Sequence, residues 1–505
     1  MRIKRSLKNI SFALSNNILT SILGFISRTV FIYTLGQSYL GISGLLQNIF
    51  GLLAISELGL STAIGFSLYK PLAKNDTKLI STLMSLYKKA YRVIGLVILV
   101  IGIVLYKYLD FFVQPSQQPK EIFYIYFMYL INIVVGYFLS YKTTLISSDQ
   151  NGYKLVPIQI RVNTIATILQ IIYLVVFKNY LGYLFIQIAT SILLNFLQNR
   201  FITKEYKHIN FNSKDKLPNN EVLVIKKNIF GLMASKIGEF CVNSTDNLII
   251  SKFIDLISVG IYSNYIMLRN LVNGYIGILF GAITAGFGNL VANENEEKCL
   301  EVFNILFFVS FVLYSFEAVA FMCLFNPFIK LWIGDNYLFS LPVVFVIVLN
   351  NFLTGLRMPI ITMKSAAGIY TEDIWVPFGF SIVNLFLSII LAKYFGVFGV
   401  VVGSIIGSLL TADWYRPIII FKKVFKVSVK YYFKKYTIYV SLGVFYMIIT
   451  YKVCSYITIN NEFINLICRG IMSISIPNII TLILFKKSKE FKYLLNILGK
   501  VSKKL

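Results

Sequence analysis

Histidine is almost absent: His208 is the only one in 505 residues, and it lies in a basic loop. A Ser-His-Asp triad or a His-based zinc site is therefore excluded. The five cysteines, Cys241, Cys299, Cys323, Cys454 and Cys468, show neither metal-ligand nor redox spacing. All but Cys299 lie in or near apolar runs, where a thiol acts as a small hydrophobe. Charge is scarce as well, at 14% against 57% apolar residues. A soluble domain of this size would need more charge on its surface. No GxxxxGK[ST] stretch occurs, so the chain cannot use ATP through a P-loop. No outer loop exceeds about fifteen residues, which leaves no room for a bulky outer catalytic domain.

What is present is a series of apolar runs long enough to cross a bilayer, each about 20 residues. Fourteen spans are predicted: 11–35, 40–68, 90–110, 122–146, 155–177, 181–199, 226–252, 258–290, 301–325, 340–363, 374–394, 398–420, 435–456 and 464–485. Helices are expected, because barrel strands would be half as long and alternate in polarity. Residues 1–9 are basic, but the run after them is full length and lacks an Ala-x-Ala-like site, so no cleavable signal is expected.

The net charge of +26 invites a nucleic-acid reading, and its distribution argues against one. With both termini inside, 34 of the 48 Lys and Arg lie in or beside inner segments, 8 in outer ones and 6 within spans. That is the positive-inside pattern, with added attraction to anionic inner-leaflet lipid. Residues 293–301 (NENEEKCLE) depart from it, being acidic and inner.

The longest polar break, 200–220, leaves six spans before it and eight after. A shift of 219 residues places Lys8-Asn9-Ile10 on Lys227-Asn228-Ile229, Gly41-Ile42 on Gly260-Ile261 and Ala63-Ile64 on Ala282-Ile283. Span ends and polar positions keep the same register. The expected organisation is an N-lobe (1–199), a cytoplasmic connector (200–225), a C-lobe (226–420) and two further spans with a basic tail (421–505).

Ten charges fall inside spans: Arg28, Arg161, Lys236, Arg269, Arg357, Arg416, Glu57, Glu239, Asp246 and Glu317. Each costs at least about 2.5–3.5 kcal/mol at bilayer depth, so such residues usually mark a pathway. At 100° per residue, span 1 carries Asn17, Thr20, Ser21, Gly24, Ser27 and Arg28 on one arc. Span 7 carries Lys236, Glu239, Asn243, Asp246 and Asn247 on the equivalent arc. Span 8 adds Asn270 and Asn273 with Arg269 beside them, span 2 adds Asn48, and span 10 adds Arg357 and Lys364. Neutral members of these stripes also serve as helix–helix glue. Lys364 and Arg161 lie near inner ends, where long side chains snorkel. Asp413 and Arg416 form an expected i,i+3 pair, and Glu317 has no evident partner. Arg28, Arg269 and Arg357 would together suit a phosphate or diphosphate, since guanidinium donates bidentately and keeps its charge. Asp246 and Glu239 could hold Na⁺ or carry H⁺.

Three stretches carry a family resemblance: SELGLSTAIGFSLYKPLAKND at 56–76, NSTDNLIISKFIDLISVGIYSNY at 243–265 and AAGIYTEDIWVPFGFSIVNLFLSIILAKYFGVFGVVVGS at 366–404. Their order and spacing resemble bacterial polysaccharide-biosynthesis flippases of the multidrug/oligosaccharidyl-lipid/polysaccharide (MOP) exporter superfamily. The resemblance implies an all-α integral membrane fold, with two six-helix lobes around a V-shaped cavity plus two C-terminal helices. It also implies alternating access. The implied cargo is an undecaprenyl-diphosphate-linked oligosaccharide, flipped across the bacterial plasma membrane for capsule, O-antigen or exopolysaccharide assembly. Polymerase and chain-length proteins are the implied partners, and Na⁺ or H⁺ the coupling ion, with no other cofactor. By similarity to lipid II flippases, Arg28 and Arg269 would line the cationic cavity, while Asp246 and, more loosely, Asn384 would bind the coupling cation. Those flippases carry more arginine in spans 1 and 2, whereas span 2 here has none in its middle. That favours a general polysaccharide flippase. A drug exporter of the same superfamily would show twelve spans and an acidic cavity. A polytopic polymerase or glycosyltransferase would show a large outer loop.

Overall fold

The computed structural model describes residues 2–53, 60–215, 217, 245–369, 372–373, 375–457 and 459–502. Every regular element among them is helical. The chain divides into two compact units, Met1–Gly260 and Ile261–Leu505.

In the first unit, α1 (Arg2–Leu53) is a 52-residue run broken at Gly36, where φ is 80° and ψ is −169°. About 20 helical residues cross a bilayer, so this run holds two crossings, and the break falls between expected spans 1 and 2. Glycine reaches this positive φ without the clash a Cβ would bring. There follow α2 (Leu60–Lys74), α3 (Thr77–Tyr106), α4 (Ile122–Leu139), α5 (Val156–Phe177) and α6 (Tyr180–Glu205). Asp76 caps α3 through the Leu79 amide, and Asn179 caps α6 through that of Gly182. Lys178, in the left-handed region at φ 48°, ends α5, so only two residues join α5 to α6.

The start of α7 (Leu256–Asn293) belongs to the first unit too. Asp255 caps it, accepting from the Ser258 amide at 2.6 Å. Leu256 N donates to Gln117 Oε1 at 3.0 Å, and Ser251 Oγ to Phe112 O at 2.7 Å. Gly41 and Gly260, equivalent under the 219-residue shift, approach each other: a Cβ on Gly260 would lie 3.2 Å from Gly41 N and 2.9 Å from Gln37 O.

The second unit holds the rest of α7, then α8 (Glu296–Ile333), α9 (Leu341–Ala366) and α10 (Val376–Leu410), the last broken at Gly396 (φ 58°, ψ −139°). After them come α11 (Ala412–Ile420), α12 (Lys430–Ser455), α13 (Glu462–Phe485) and α14 (Lys489–Ser502). α8 is buried on nearly every side, as a helix apolar all round must be. Phe303, Phe307 and Phe311 pack on Tyr432 and Tyr439 of α12, with the Phe311 and Tyr439 rings stacked at 4.4 Å. Truncating one such ring to Ala costs about 3–5 kcal/mol.

Among the described residues, ten helical segments are long and apolar enough to cross a membrane. Two of them, Asn17–Leu53 and Val376–Phe425, hold two crossings each across the glycine breaks. Among the fourteen expected spans, all but the seventh overlap described helices; residues 54–59 of the second and most of the seventh lie outside the described residues. The fold is that of an all-α, multi-pass membrane protein, as the sequence predicts. The exposed side chains of Val100, Phe177, Phe196, Ile382 and Phe386 fit lipid contact. Within the expected basic tail, α14 is a docked amphipathic helix. Phe491 is buried against Phe308 at 6.3 Å, and Glu490 pairs with Lys435 at 2.9 Å, while Lys492 and Tyr493 stay exposed.

Candidate functional site

The polar stripe of α1 leads to Arg28. Asn17 is exposed, and Thr20 donates to its carbonyl at 3.2 Å. Ser27 is buried and hydrogen-bonded to Tyr183. Arg28 stands in the electrostatic reach of Tyr129, Tyr180 and Tyr183. These phenols are fixed from several sides. Tyr129 shares 2.9 Å hydrogen bonds with Ser43 and Tyr180, and Phe31 meets Tyr180 and Tyr183 edge-on at 5.3 and 5.6 Å. The arginine thus has a wall of rings and hydroxyls from α4 and α6, suited to a cation and to hydrogen-bonding ligands. The sequence stripe did not reveal this wall, because its rings come from distant helices. Asn48 bonds back to the Gly44 carbonyl at 2.7 Å.

Of the residues expected to hold a coupling cation, Asp246 is buried in the first unit. Glu239 lies outside the described residues, as do Lys236 and Glu57. Asn384 is fully buried in the second unit and donates to Ser404 Oγ at 2.7 Å, joining the two arms of α10.

In the second unit, Arg269 donates from Nε and Nη2 to Asn270 Oδ1 at 3.3 and 3.1 Å. Asn273 Nδ2 donates to Asn351 Oδ1 at 2.7 Å. Arg357 is differently placed. Its Nη1 pairs with Asp413 at 2.9 Å, its Nη2 donates to Thr354 Oγ1 at 2.7 Å and its Nε to Leu353 O at 3.2 Å. A phosphate at Arg357 would have to join or displace that pair.

This geometry corrects the expected Asp413–Arg416 pair. Arg416 turns instead to Asp373, its Nε 3.0 Å from Oδ2, and Lys364 binds the same carboxylate at 2.6 Å. Asp373 is buried between two cations, so Lys364 has a partner within the protein rather than only an interface to reach. The partners are 43 and 56 residues apart, beyond the reach of a helical spacing rule. The acidic 293–301 segment finds its counter-charge here too. Glu296 pairs with Lys426 at 2.5 Å, and Glu294 and Glu297 share a cavity of about 680 Å³ with Lys423 and Lys426.

Sequence reasoning gave Glu317 no role. It is buried on α8 beside Asn351 of α9 and within the electrostatic reach of Arg269 of α7. Its position in a helix apolar on all sides was the signal available.

These elements define a multi-pass helical protein whose fold is similar to that of solved transporters. The lipid II flippase MurJ, in an inward closed conformation, matches with a TM-score of 0.65 at 15% identity, covering 94% of this chain and 99% of that one. An inward-facing multidrug-resistance MATE-family transporter of the MOP superfamily matches at 0.61 and 15%, covering 81% of this chain and 97% of the other. A mutant of the Vibrio cholerae MATE transporter VcmN matches at 0.57 and 14%, covering 84% and 99%. The chain belongs to the family described as "Polysaccharide biosynthesis protein", which matches residues 6–284. No curated protein matches it.

Proposed function

We propose that this protein flips undecaprenyl-diphosphate-linked oligosaccharide from the inner to the outer leaflet of a bacterial plasma membrane, its termini cytoplasmic. It is a transporter rather than an enzyme, serving capsule, O-antigen or exopolysaccharide assembly. Arg28 in the first unit is a proposed diphosphate-binding residue, and so, within the second unit, is Arg269, with Arg357 as a further cation that must first loosen from Asp413. The neutral stripe residues Asn17, Thr20, Ser27, Asn48, Asn270 and Asn273 hydrogen-bond the sugars. Asp246 and Glu239 are proposed to bind a coupling Na⁺ or H⁺ in the first unit, and Asn384 is proposed separately as a coupling-ion residue of the second. Undecaprenyl carrier, membrane lipid and polymerase or chain-length proteins are the partners.

The observation that carries this reading is Arg269. It lies within a membrane-length helix of a polysaccharide-biosynthesis family member, yet among the described residues its guanidinium hydrogen-bonds only Asn270. A charge kept there at such cost, with donors to spare, suits an anionic headgroup. The test is transbilayer movement of an undecaprenyl-diphosphate oligosaccharide in proteoliposomes. Arg28→Ala and Arg269→Ala should each lose it while the protein stays folded; wild-type rates in both would overturn the reading. Ethidium export without lipid movement would instead favour drug transport, the activity class of the MATE structural relatives.

A further inference from the structure

Glu317 is 2% exposed, and neither carboxyl oxygen has a hydrogen-bond partner among the described residues. The Asn351 side-chain nitrogen beside it is also unpartnered, although the Asn351 oxygen accepts from Asn273. Asn351 approaches the carboxyl closely, but the two do not reach ordinary hydrogen-bond geometry. Two orphaned polar groups side by side are unusual, because buried polar atoms are nearly always satisfied. An ionised carboxylate held this way costs several kcal/mol, and the neutral acid escapes most of that cost.

We propose that Glu317 is a proton-binding site of the second unit, electrostatically coupled to Arg269. A proton from water adds to one carboxylate oxygen and returns to water on release, so only the charge changes. A metal cation fits poorly. It would need several oxygens, whereas the Asn351 oxygen already accepts from Asn273, and Arg269 would repel it. Among the described residues, the charged and titratable groups facing Glu317 are Arg269 from α7 and Tyr314 from α8 itself. Arg469 of α13 acts farther along α8, at Cys323.

The consequence deepens the proposed function and rests on it. Ionised Glu317 offsets part of Arg269's positive charge. Protonation leaves that charge whole for a diphosphate, so headgroup and proton bind cooperatively. By linkage each raises the other's affinity by the same factor, roughly 5–150-fold for typical couplings.

The test is an infrared pH titration of the purified full chain. A protonated-carboxyl stretch should titrate in the wild type and be missing from Glu317→Gln. Arg269→Gln should move its midpoint to higher pH. Farnesyl diphosphate should move it the same way and bind more tightly to the wild type at acid pH; Glu317→Gln should lack that part of the pH dependence. If Glu317→Gln does not fold, Glu317→Asp should shift the midpoint instead. Absence of the titrating band, or an unchanged midpoint in Arg269→Gln, overturns the proposal. A titrating, Arg269-sensitive Glu317 with no diphosphate binding establishes the proton site and refutes the headgroup reading alone.

Discussion

At Gly355, α9 packs directly against Tyr314 of α8. A Cβ built on the glycine would lie 2.0, 2.2 and 2.4 Å from Cγ, Cδ1 and Cδ2 of Tyr314. Ordinary contact needs about 3.4–4 Å, so Gly355→Ala forces the ring back by roughly 1.5 Å. The ring has little room to retreat, because Tyr314 is 5% exposed and Phe280 stands 6.4 Å away. The clash falls at Cγ, so relieving it means swinging the whole ring to another χ1 or moving the helices apart. The Gly355 carbonyl also accepts from Ser310 Oγ at 2.7 Å, and separating the helices stretches that bond. Overpacking of this kind costs about 1–3 kcal/mol and a lost hydrogen bond about 1 kcal/mol. The expected destabilisation is therefore about 2–4 kcal/mol. Unfolding in mixed micelles of graded SDS content would measure it. Gly136→Ala is the control, since a Cβ there meets nothing within 4 Å, and in a helix interior it should stabilise by up to about 1 kcal/mol. If Gly355→Ala unfolds with wild-type free energy, the close α8–α9 approach is wrong, and with it the placement of Glu317 beside Asn351.

Asp373→Asn should cost about 3 kcal/mol in the same assay, more than Lys364→Gln or Arg416→Gln, because it leaves two cations facing a neutral amide. Asp413→Asn frees Arg357 and should destabilise, whereas Asp413→Asn with Arg357→Gln should recover part of the loss in a double-mutant cycle. For Glu490, burial pushes the carboxyl up, but its own backbone hydrogen bond and the Lys435 ammonium outweigh this and hold it below the usual range. A depressed carboxyl stabilises above its unfolded value and loses that contribution as pH falls through the folded value. Docking of α14 should therefore weaken in acid, with faster proteolysis of residues 489–502, and Glu490→Gln should flatten that pH dependence.

The positions of the crossings were legible in the sequence because bilayer thickness fixes the length of each apolar run. Even the Gly36 break fell where a turn between spans was expected. The stripe containing Ser27 and Arg28 was legible from helical period alone. Its tyrosine wall was not, since Tyr129, Tyr180 and Tyr183 sit on other helices. The same limit applies to the charge pairs. Spacing suggested Asp413 with Arg416, but the fold pairs them with Arg357 and Asp373, partners brought near by packing between helices. The docking of α14 was hidden because its lysines read as a solvated tail, while the contact with α8 is made by Phe491. Glu317 stood out as a charge within a span but had no evident partner, because its neighbours, Asn351 and Arg269, come from two other helices.

The central claim is that a lipid-linked diphosphate is carried past Arg269. Its most direct test is the rate at which an undecaprenyl-diphosphate oligosaccharide, loaded in one leaflet of proteoliposomes, becomes accessible to a lectin on the other side. The account predicts movement with the wild-type chain and its loss in Arg269→Ala of unchanged fold. Equal rates for wild type, Arg269→Ala and protein-free vesicles would contradict it.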